Sequence, residues 1–125
     1  MDTPEMAGWN LALRFGLELA ALVGLAMGAG SAWSGWVRWA AVVMVPVTAA
    51  VVWGVFNVVG DPSRSGAAPV EVPGWVRFGI ELVVLGGGAG GFYLAERPYF
   101  AIGFGALVIL HYVVSVSRIH WLFDR

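Results

Sequence analysis

The sequence predicts an all-α membrane protein, a four-helix transmembrane bundle made of two parallel-repeat helical hairpins. Hydrophobic residues make up 59% of the 125 residues and charged residues only 12%, too few to cover a soluble domain of this size with charged surface. The apolar residues stand in four long blocks, and about 20 apolar residues are needed for a helix to cross about 30 Å of hydrocarbon. An Arg–Glu motif in the first block recurs in the third, which indicates a repeat.

The four predicted spans fill most of the chain, which we interpret as a single transmembrane domain over residues 1–125. A stretch rich in Gly, Pro and Ser separates the second span from the third and predicts a loop. No soluble catalytic domain fits beside the spans, so we do not expect an enzyme. The spans lie at about residues 10–30, 36–59, 75–95 and 99–122.

An internal repeat relates the two halves of the chain. The run that begins at Arg14 (RFGLEL) reappears at Arg77 (RFGIEL), and 77 − 14 gives an offset of 63 residues. Each unit is a two-span hairpin, so both units enter the membrane in the same direction, and a pseudo-twofold axis along the membrane normal is expected. The first repeat covers about residues 10–59, the loop residues 60–74 and the second repeat about residues 75–122.

Charged residues inside the predicted spans are the candidate site. Arg14 and Glu18 share one helix face, as do Arg77 and Glu81, because the members of each pair are four residues apart. Ionised groups in hydrocarbon are costly, so they face the bundle interior or water and pair with one another. The repeat makes cross-pairing of Arg14 with Glu81, and of Arg77 with Glu18, geometrically natural. With His111, expected about one helical turn deeper than Glu18, these residues form a predicted buried polar layer.

Further polar residues are predicted around this layer. Some extend the same helix faces, and others share a face of the second or fourth span. These secondary polar candidates are Asn10, Thr48, Trp53, Asn57, Ser115 and Arg118.

Two interpretations of the polar layer stay open at this point. It can be an electrostatic clasp that fixes helix register, since buried ion pairs often serve specificity. It can also be a site for an ion, a proton or a small polar ligand, with His111 relaying protons. No metal site or cofactor is expected, because the sequence has no cysteine and its two histidines, His111 and His120, are nine residues apart.

Glycine-rich faces in the first and third spans predict close helix packing. Gly24 and Gly28 form one G-x-x-x-G pair, and the run from Gly86 to Gly91 contains two more. Small residues let helix backbones approach closely in lipid, either within the bundle or between two copies as a homodimer.

The aromatic and basic residues indicate how the chain sits in a bilayer. No basic run is present, which argues against nucleic acid as a partner and leaves the lipid bilayer. The arginines on the terminal side outnumber those on the other side and favour cytoplasmic termini in a bacterial inner membrane. Aromatic residues near span ends are typical of interfacial belts, and here they are Trp9, Trp33, Trp36, Trp39, Trp75, Tyr99 and Trp121.

Short motifs in three spans carry a family resemblance. They are R-F-x-x-E at Arg14, Phe15 and Glu18, P-x(6)-W-G-x-F at Pro46, Trp53, Gly54 and Phe56, and the glutamate Glu81.

Over about residues 10–117 the chain resembles the YrdB family, small four-span bacterial membrane proteins of unknown function. It departs at His111, where the family usually shows an Asn-like residue, and at Pro62, which follows W-G-x-F later than the family's proline often does. The resemblance implies the fold and supplies no activity.

The leading hypothesis from the residues is transport or permeation through the polar layer. The alternative is a structural or accessory membrane subunit without transport activity.

Overall fold

The computed structural model describes residues 4–64 and 67–125, and over these residues the chain is all-α apart from one very short strand pair. The predicted fold class is therefore confirmed in its all-α character, while the predicted fourth helix is divided into two. The helices are α1 (Gly8–Ala32), α2 (Gly35–Val55), α3 (Gly74–Leu94), α4 (Pro98–Val114) and α5 (Val116–Phe123).

Helices α1 and α2 are each long and apolar enough to cross a membrane. Helices α4 and α5 meet the same criterion only when they are counted together as one bent span, so the described residues contain two or three candidate spans. Helix α3 is as long as α2, at 21 residues. It carries Arg77, Glu81 and many glycines, which lower its apolar character. Helix α3 packs against α1, α4 and α5, which reduces its contact with a surrounding bilayer.

Helices α1 and α3 approach so closely that their contact requires glycine. A Cβ atom added at Gly28 would lie 2.5 Å from Cα of Gly91, and one added at Gly88 would lie 2.7 Å from Cα of Ala21. A Cβ atom on Gly24 would likewise meet the main chain of Gly88. These glycines thus pack within the chain. By contrast, a Cβ atom on Gly90 would meet no atom within 4 Å.

A bend at Ser115 divides the predicted fourth span. Helix α5 leaves the direction of α4 by 71° and buries Arg118, Trp121 and Leu122 against the end of the bundle. The main chain of Leu122 lies directly over Gly74, where a side chain would not fit. The prediction of one continuous helix over residues 99–122 is therefore wrong, because α5 folds across the bundle end to bring these side chains inward.

The aromatic residues at the helix ends are exposed, with one exception. Trp9, Trp36 and Trp75 are 59%, 79% and 66% exposed, as interfacial residues should be. Trp121 is only 1% exposed and packs with Val58 in a small apolar cluster. The prediction that Trp121 is an interfacial anchor is therefore wrong, because α5 turns across the bundle end and buries this side chain.

The loop between α2 and α3 contains ordered backbone structure. Helix α2 continues through Pro46 and ends at Val55, four residues before the predicted end of the second span. Strand β1 (Phe56–Asn57) then pairs in parallel with strand β2 (Val70–Glu71). Ser65 and Gly66 of the predicted loop lie outside the described residues.

The main apolar core lies between α1, α3 and the facing parts of α2 and α4. It is directly adjacent to the polar layer, because Trp53 belongs to both. The buried members of this core are Leu17, Ala21, Trp53, Val84, Leu85, Phe92 and Phe104.

Candidate functional site

Glu81 is the centre of the polar layer. Its side chain is fully buried and is contacted by three guanidinium groups. Arg14 Nη2 lies 2.8 Å from Glu81 Oε2, Arg77 Nε donates to the same oxygen at 3.0 Å, and Arg118 Nη2 donates to it at 2.7 Å. Tyr112 donates its hydroxyl to Oε1 at 2.8 Å. A buried carboxylate needs such partners, because its desolvation would otherwise be too costly.

Arg118 links Glu81 to Asp61, a loop residue that the sequence analysis missed. Arg118 Nε and Nη2 donate to the two carboxylate oxygens of Asp61 at 2.8 and 2.6 Å, a two-pronged geometry that suits a guanidinium. Asp61 also accepts hydrogen bonds from the backbone N–H and the hydroxyl of Ser63. Burial alone would raise the pKa of Asp61, but the bonds from Arg118 and Ser63 outweigh it, so the pKa lies below its usual range. The only sequence signal was the Asp-Pro-Ser turn itself.

The end of α2 supplies acceptors for the second arginine of the repeat. Arg77 Nη1 donates to the carbonyl oxygens of Trp53 and Phe56, at 2.5 and 3.0 Å. Carbonyls in the last turn of a helix lack partners within the helix, so Arg77 stabilises the point where α2 stops. The Trp53 ring is also contacted by Arg77 and Arg14, whose Cζ atoms lie 4.6 and 5.1 Å from the ring centroid.

His111 takes part in a hydrogen-bond chain that runs from Arg14 to Ser115. Arg14 Nη1 lies 3.2 Å from His111 Nε2, His111 Nδ1 lies 2.8 Å from Asn10 Oδ1, and Asn10 Nδ2 donates to Ser115 Oγ at 2.8 Å. The guanidinium can only donate and the amide oxygen can only accept, so the ring fits as the neutral form with its proton on Nδ1. This arrangement gives His111 a positioning role toward Arg14. It argues against the proposed proton relay with Glu18, because the ring contacts neither glutamate among the described residues.

Glu18 has the same place in the run RFGLEL that Glu81 has in RFGIEL, yet it lies at the edge of the layer. Its side chain is 19% exposed. Trp53 Nε1 donates to Glu18 Oε1 at 2.7 Å, while the ion-pair contacts of Glu18 with Arg14 and Arg64 are longer, at 3.7 and 3.4 Å. Glu18 lines a cavity of about 420 Å³ together with Arg14, Arg64 and Ser63. The layer thus has a closed part around Glu81 and an open part at Glu18.

The two predicted cross-pairs have different outcomes. Arg14 pairs with Glu81, as the depth argument requires. Within residues 4–64 and 67–125 no ion pair joins Arg77 to Glu18, because Arg77 faces Glu81 and the end of α2 instead. The contacts of these side chains therefore do not follow the predicted pseudo-twofold relation.

The secondary polar candidates divide into members of the layer and residues outside it. Asn10, Trp53, Ser115 and Arg118 all belong to the layer. The amide of Asn57 donates to Gly54 O at 2.7 Å and closes the end of α2, so Asn57 lies beside the layer. Thr48, by contrast, is exposed and makes no polar side-chain contact with the described residues of the layer.

The layer carries an excess of positive charge. Counted over residues 4–64 and 67–125, four arginines meet three carboxylates, and His111 fits as a neutral group. Among the described residues no group of three or more His, Cys, Asp or Glu side chains could hold a metal ion. The charged members are Arg14, Arg64, Arg77, Arg118, Glu18, Asp61 and Glu81.

Comparison with known proteins gives the chain a family. Residues 12–109 match the family described as "Protein of unknown function (DUF2568)". The chain is 38% identical over 116 residues to "Uncharacterized protein YrdB" of Bacillus subtilis (strain 168), and this match covers 93% of the chain and 94% of that protein. No solved structure matches the chain. The resemblance to the YrdB family that the span motifs indicated is confirmed, and the chain belongs to the DUF2568 family.

Proposed function

We propose that the chain is a multi-pass protein of the bacterial cell membrane that admits a small ion or polar ligand to its polar layer, as part of transport or permeation. The observation that carries this proposal is the cavity of about 420 Å³ at Glu18 and Arg14. An ionisable residue in a membrane segment that borders a polar cavity is a functional-site candidate by default. Glu18 meets both conditions.

The position of the layer supports access from one side of the membrane. Glu18 lies ten residues into α1, or about 15 Å from its start. The part of the layer around Glu81 is closed on the terminal side by α5 and the Asp61 loop, while the cavity at Glu18 stays open beside them. At the other end of the bundle, the contacts of Gly24 and Gly28 leave no space between α1 and α3. We propose four spans with both termini cytoplasmic, so that Glu18 is reached from the cytoplasmic side and passage across the membrane needs α1 and α3 to move apart.

The closed part of the layer supports a second candidate, a structural or accessory subunit. Glu81 is fully buried and contacts three arginines. A carboxylate in that position is well placed to hold α1, α3 and α5 in register. In this reading the cavity at Glu18 is a surface feature with no transported ligand.

A flux assay with a matched pair of variants separates the two candidates. Purified protein in liposomes with an enclosed pH-sensitive dye reports proton movement, and ion-sensitive dyes extend the assay to common ions. Glu18→Gln should lower the flux, while Glu96→Gln should leave it unchanged. Glu96 is an exposed residue in the turn between α3 and α4, and its variant removes the same charge far from the layer.

The outcomes are distinct. Flux that is equal in the wild type and in Glu18→Gln would contradict a role for the Glu18 cavity. A folded wild-type protein that moves neither protons nor common ions would favour the accessory subunit.

A further inference from the structure

Arg14 and Arg64 bring two guanidinium groups to the Glu18 cavity, and these groups are incompletely hydrogen-bonded by the described residues. Arg14 lines the cavity, is only 2% exposed, and its Nε has no hydrogen-bond acceptor among the described residues. Arg64 reaches the cavity from the loop, and among the described residues its side chain there bonds to Glu18 at 3.4 Å. Buried polar donors are normally paired. The cavity therefore offers two arginine side chains to a ligand with acceptor oxygens.

The charge of the layer specifies an anion. Among the described residues, its four arginines and three carboxylates sum to a net charge of +1. An excess of positive charge in a partly buried site is costly, so an anionic ligand would stabilise the layer. Arginine pairs particularly well with phosphate, whose oxygens match the planar set of guanidinium donors.

Glu18 narrows the choice among phosphate compounds. Only Oε1 of this carboxylate has a partner among the described residues, so a ligand in the cavity should place a hydrogen-bond donor beside Oε2. A hydroxyl group on the ligand can donate to Oε2, because an ionised carboxylate only accepts hydrogen bonds. The ligand should thus carry a hydroxyl near its phosphate.

The edge of the cavity is apolar. Leu11 and Phe15 line it and are 37% and 60% exposed on the outer surface of α1, the surface that faces lipid in a membrane. Such an edge suits the glycerol backbone and the first acyl carbons of a lipid whose headgroup enters the cavity.

We infer that the Glu18 cavity binds a phosphate ester with a neighbouring hydroxyl group, the chemistry of a phosphatidylglycerol headgroup and of free glycerol phosphate. This inference rests on the proposed function and names the ligand class of the same site. Arg14 and Arg64 contact the phosphate, and Glu18 accepts a hydrogen bond from the hydroxyl.

Ligand-dependent thermal unfolding in detergent tests the inference with known compounds. The probes are phosphatidylglycerol, phosphatidylethanolamine, glycerol phosphate and inorganic phosphate, each titrated into wild-type protein. Phosphatidylglycerol or glycerol phosphate should raise the unfolding midpoint in a saturable way, and the one that does so identifies the source of the ligand. Phosphatidylethanolamine and inorganic phosphate should have a weaker effect, because one lacks net charge and the other lacks the hydroxyl-bearing ester.

A matched pair of arginine variants locates the effect. Arg64→Gln should weaken the apparent affinity by about tenfold, the loss of one charge-assisted contact. Arg97→Gln removes the same charge at the other end of the bundle and should leave the affinity unchanged. Arg64 is 30% exposed in a loop, so its variant is expected to fold.

Three results would overturn the inference. They are no stabilisation by either glycerol compound, equal weakening in both arginine variants, and inorganic phosphate or phosphatidylethanolamine acting as strongly as phosphatidylglycerol. If the binding experiment fails but the liposome flux still depends on Glu18, the ligand class is rejected and the proposed function is kept. Saturable stabilisation without any flux would reject transport and keep the binding site.

Discussion

Glu18 and Glu81 occupy matching positions in the similar runs RFGLEL and RFGIEL, and the structure predicts that their removal has very different effects on stability. Glu81 is fully buried and contacts Arg14, Arg77 and Arg118. In Glu81→Gln the amide nitrogen would bring N–H groups toward guanidinium N–H groups, and three arginines would lose their shared counter-charge. In Glu18→Gln the amide oxygen can still accept the hydrogen bond from Trp53.

The magnitudes follow from burial. Removing one partner of a buried charge cluster costs about 3–5 kcal/mol of unfolding free energy, a large part of the 5–15 kcal/mol that is usual for a folded protein. Glu18 is 19% exposed and its arginine contacts are 3.4 and 3.7 Å long, so they resemble surface ion pairs. Its removal should cost about 1 kcal/mol or less.

Reversible unfolding in mixed detergent micelles measures both variants against the wild type. A double-mutant cycle then measures the direct pairs. Arg14→Met combined with Glu81→Gln should be clearly non-additive, because the two side chains lie in contact. Arg77→Met combined with Glu18→Gln should show much weaker coupling, because no ion pair joins them.

Equal losses for Glu18→Gln and Glu81→Gln would refute this reasoning. They would show that the two repeats use their glutamates in the same way and that the asymmetry of the layer is not real. Strong coupling between Arg77 and Glu18 would lead to the same conclusion.

Three further predictions address packing, pH and topology. Gly91→Ala should destabilise the protein, since a Cβ there would meet the backbone of α1, whereas Gly90→Ala should leave the unfolding midpoint unchanged; equal midpoints would show that α1 and α3 do not pack through these glycines. The pKa of Asp61 is lowered in the folded state, so the stability it contributes is full above about pH 4 and is lost as the pH falls further. The difference in unfolding free energy between Asp61→Asn and the wild type should therefore shrink as the pH falls from 6 to 3. A difference that does not depend on pH would contradict the lowered pKa. Cysteines placed at Ser34 and Ser65 should be labelled from opposite sides of the membrane, with Ser65 cytoplasmic, and labelling of both from one side would contradict the four-span proposal.

Residue spacing along parallel helices was enough to predict the central contact of the site. Arg14 and Glu81 were expected to meet because the offset of 63 residues places the two motifs at similar depth. The glycine positions likewise indicated where α1 and α3 touch, since small residues at four-residue spacing permit close approach. These predictions depend only on helical geometry, which sequence patterns report directly.

The contacts that the sequence did not predict depend on parts of the chain without helical periodicity. Asp61 lies in a loop, and nothing in the local pattern indicates that Arg118, 57 residues away, binds it. Arg77 turns to the carbonyls at the end of α2 because that helix stops at Val55, earlier than its apolar composition indicated. Where a helix stops depends on tertiary partners as much as on local residues.

The bend at Ser115 follows from the ion pairs that Arg118 makes with Glu81 and Asp61. Arg118 is three residues beyond Ser115, so in a straight continuation of α4 it would lie about 4.5 Å further along the axis and in a different direction from Asp61. Glu81 would then keep only two arginines, and Asp61 would be buried without a cation, at a cost of several kcal/mol. Breaking the helix forfeits a few backbone hydrogen bonds, each worth about 1 kcal/mol net. The ion pairs therefore outweigh helix continuity, and α5 closes the layer on the terminal side while the cavity at Glu18 stays open beside it.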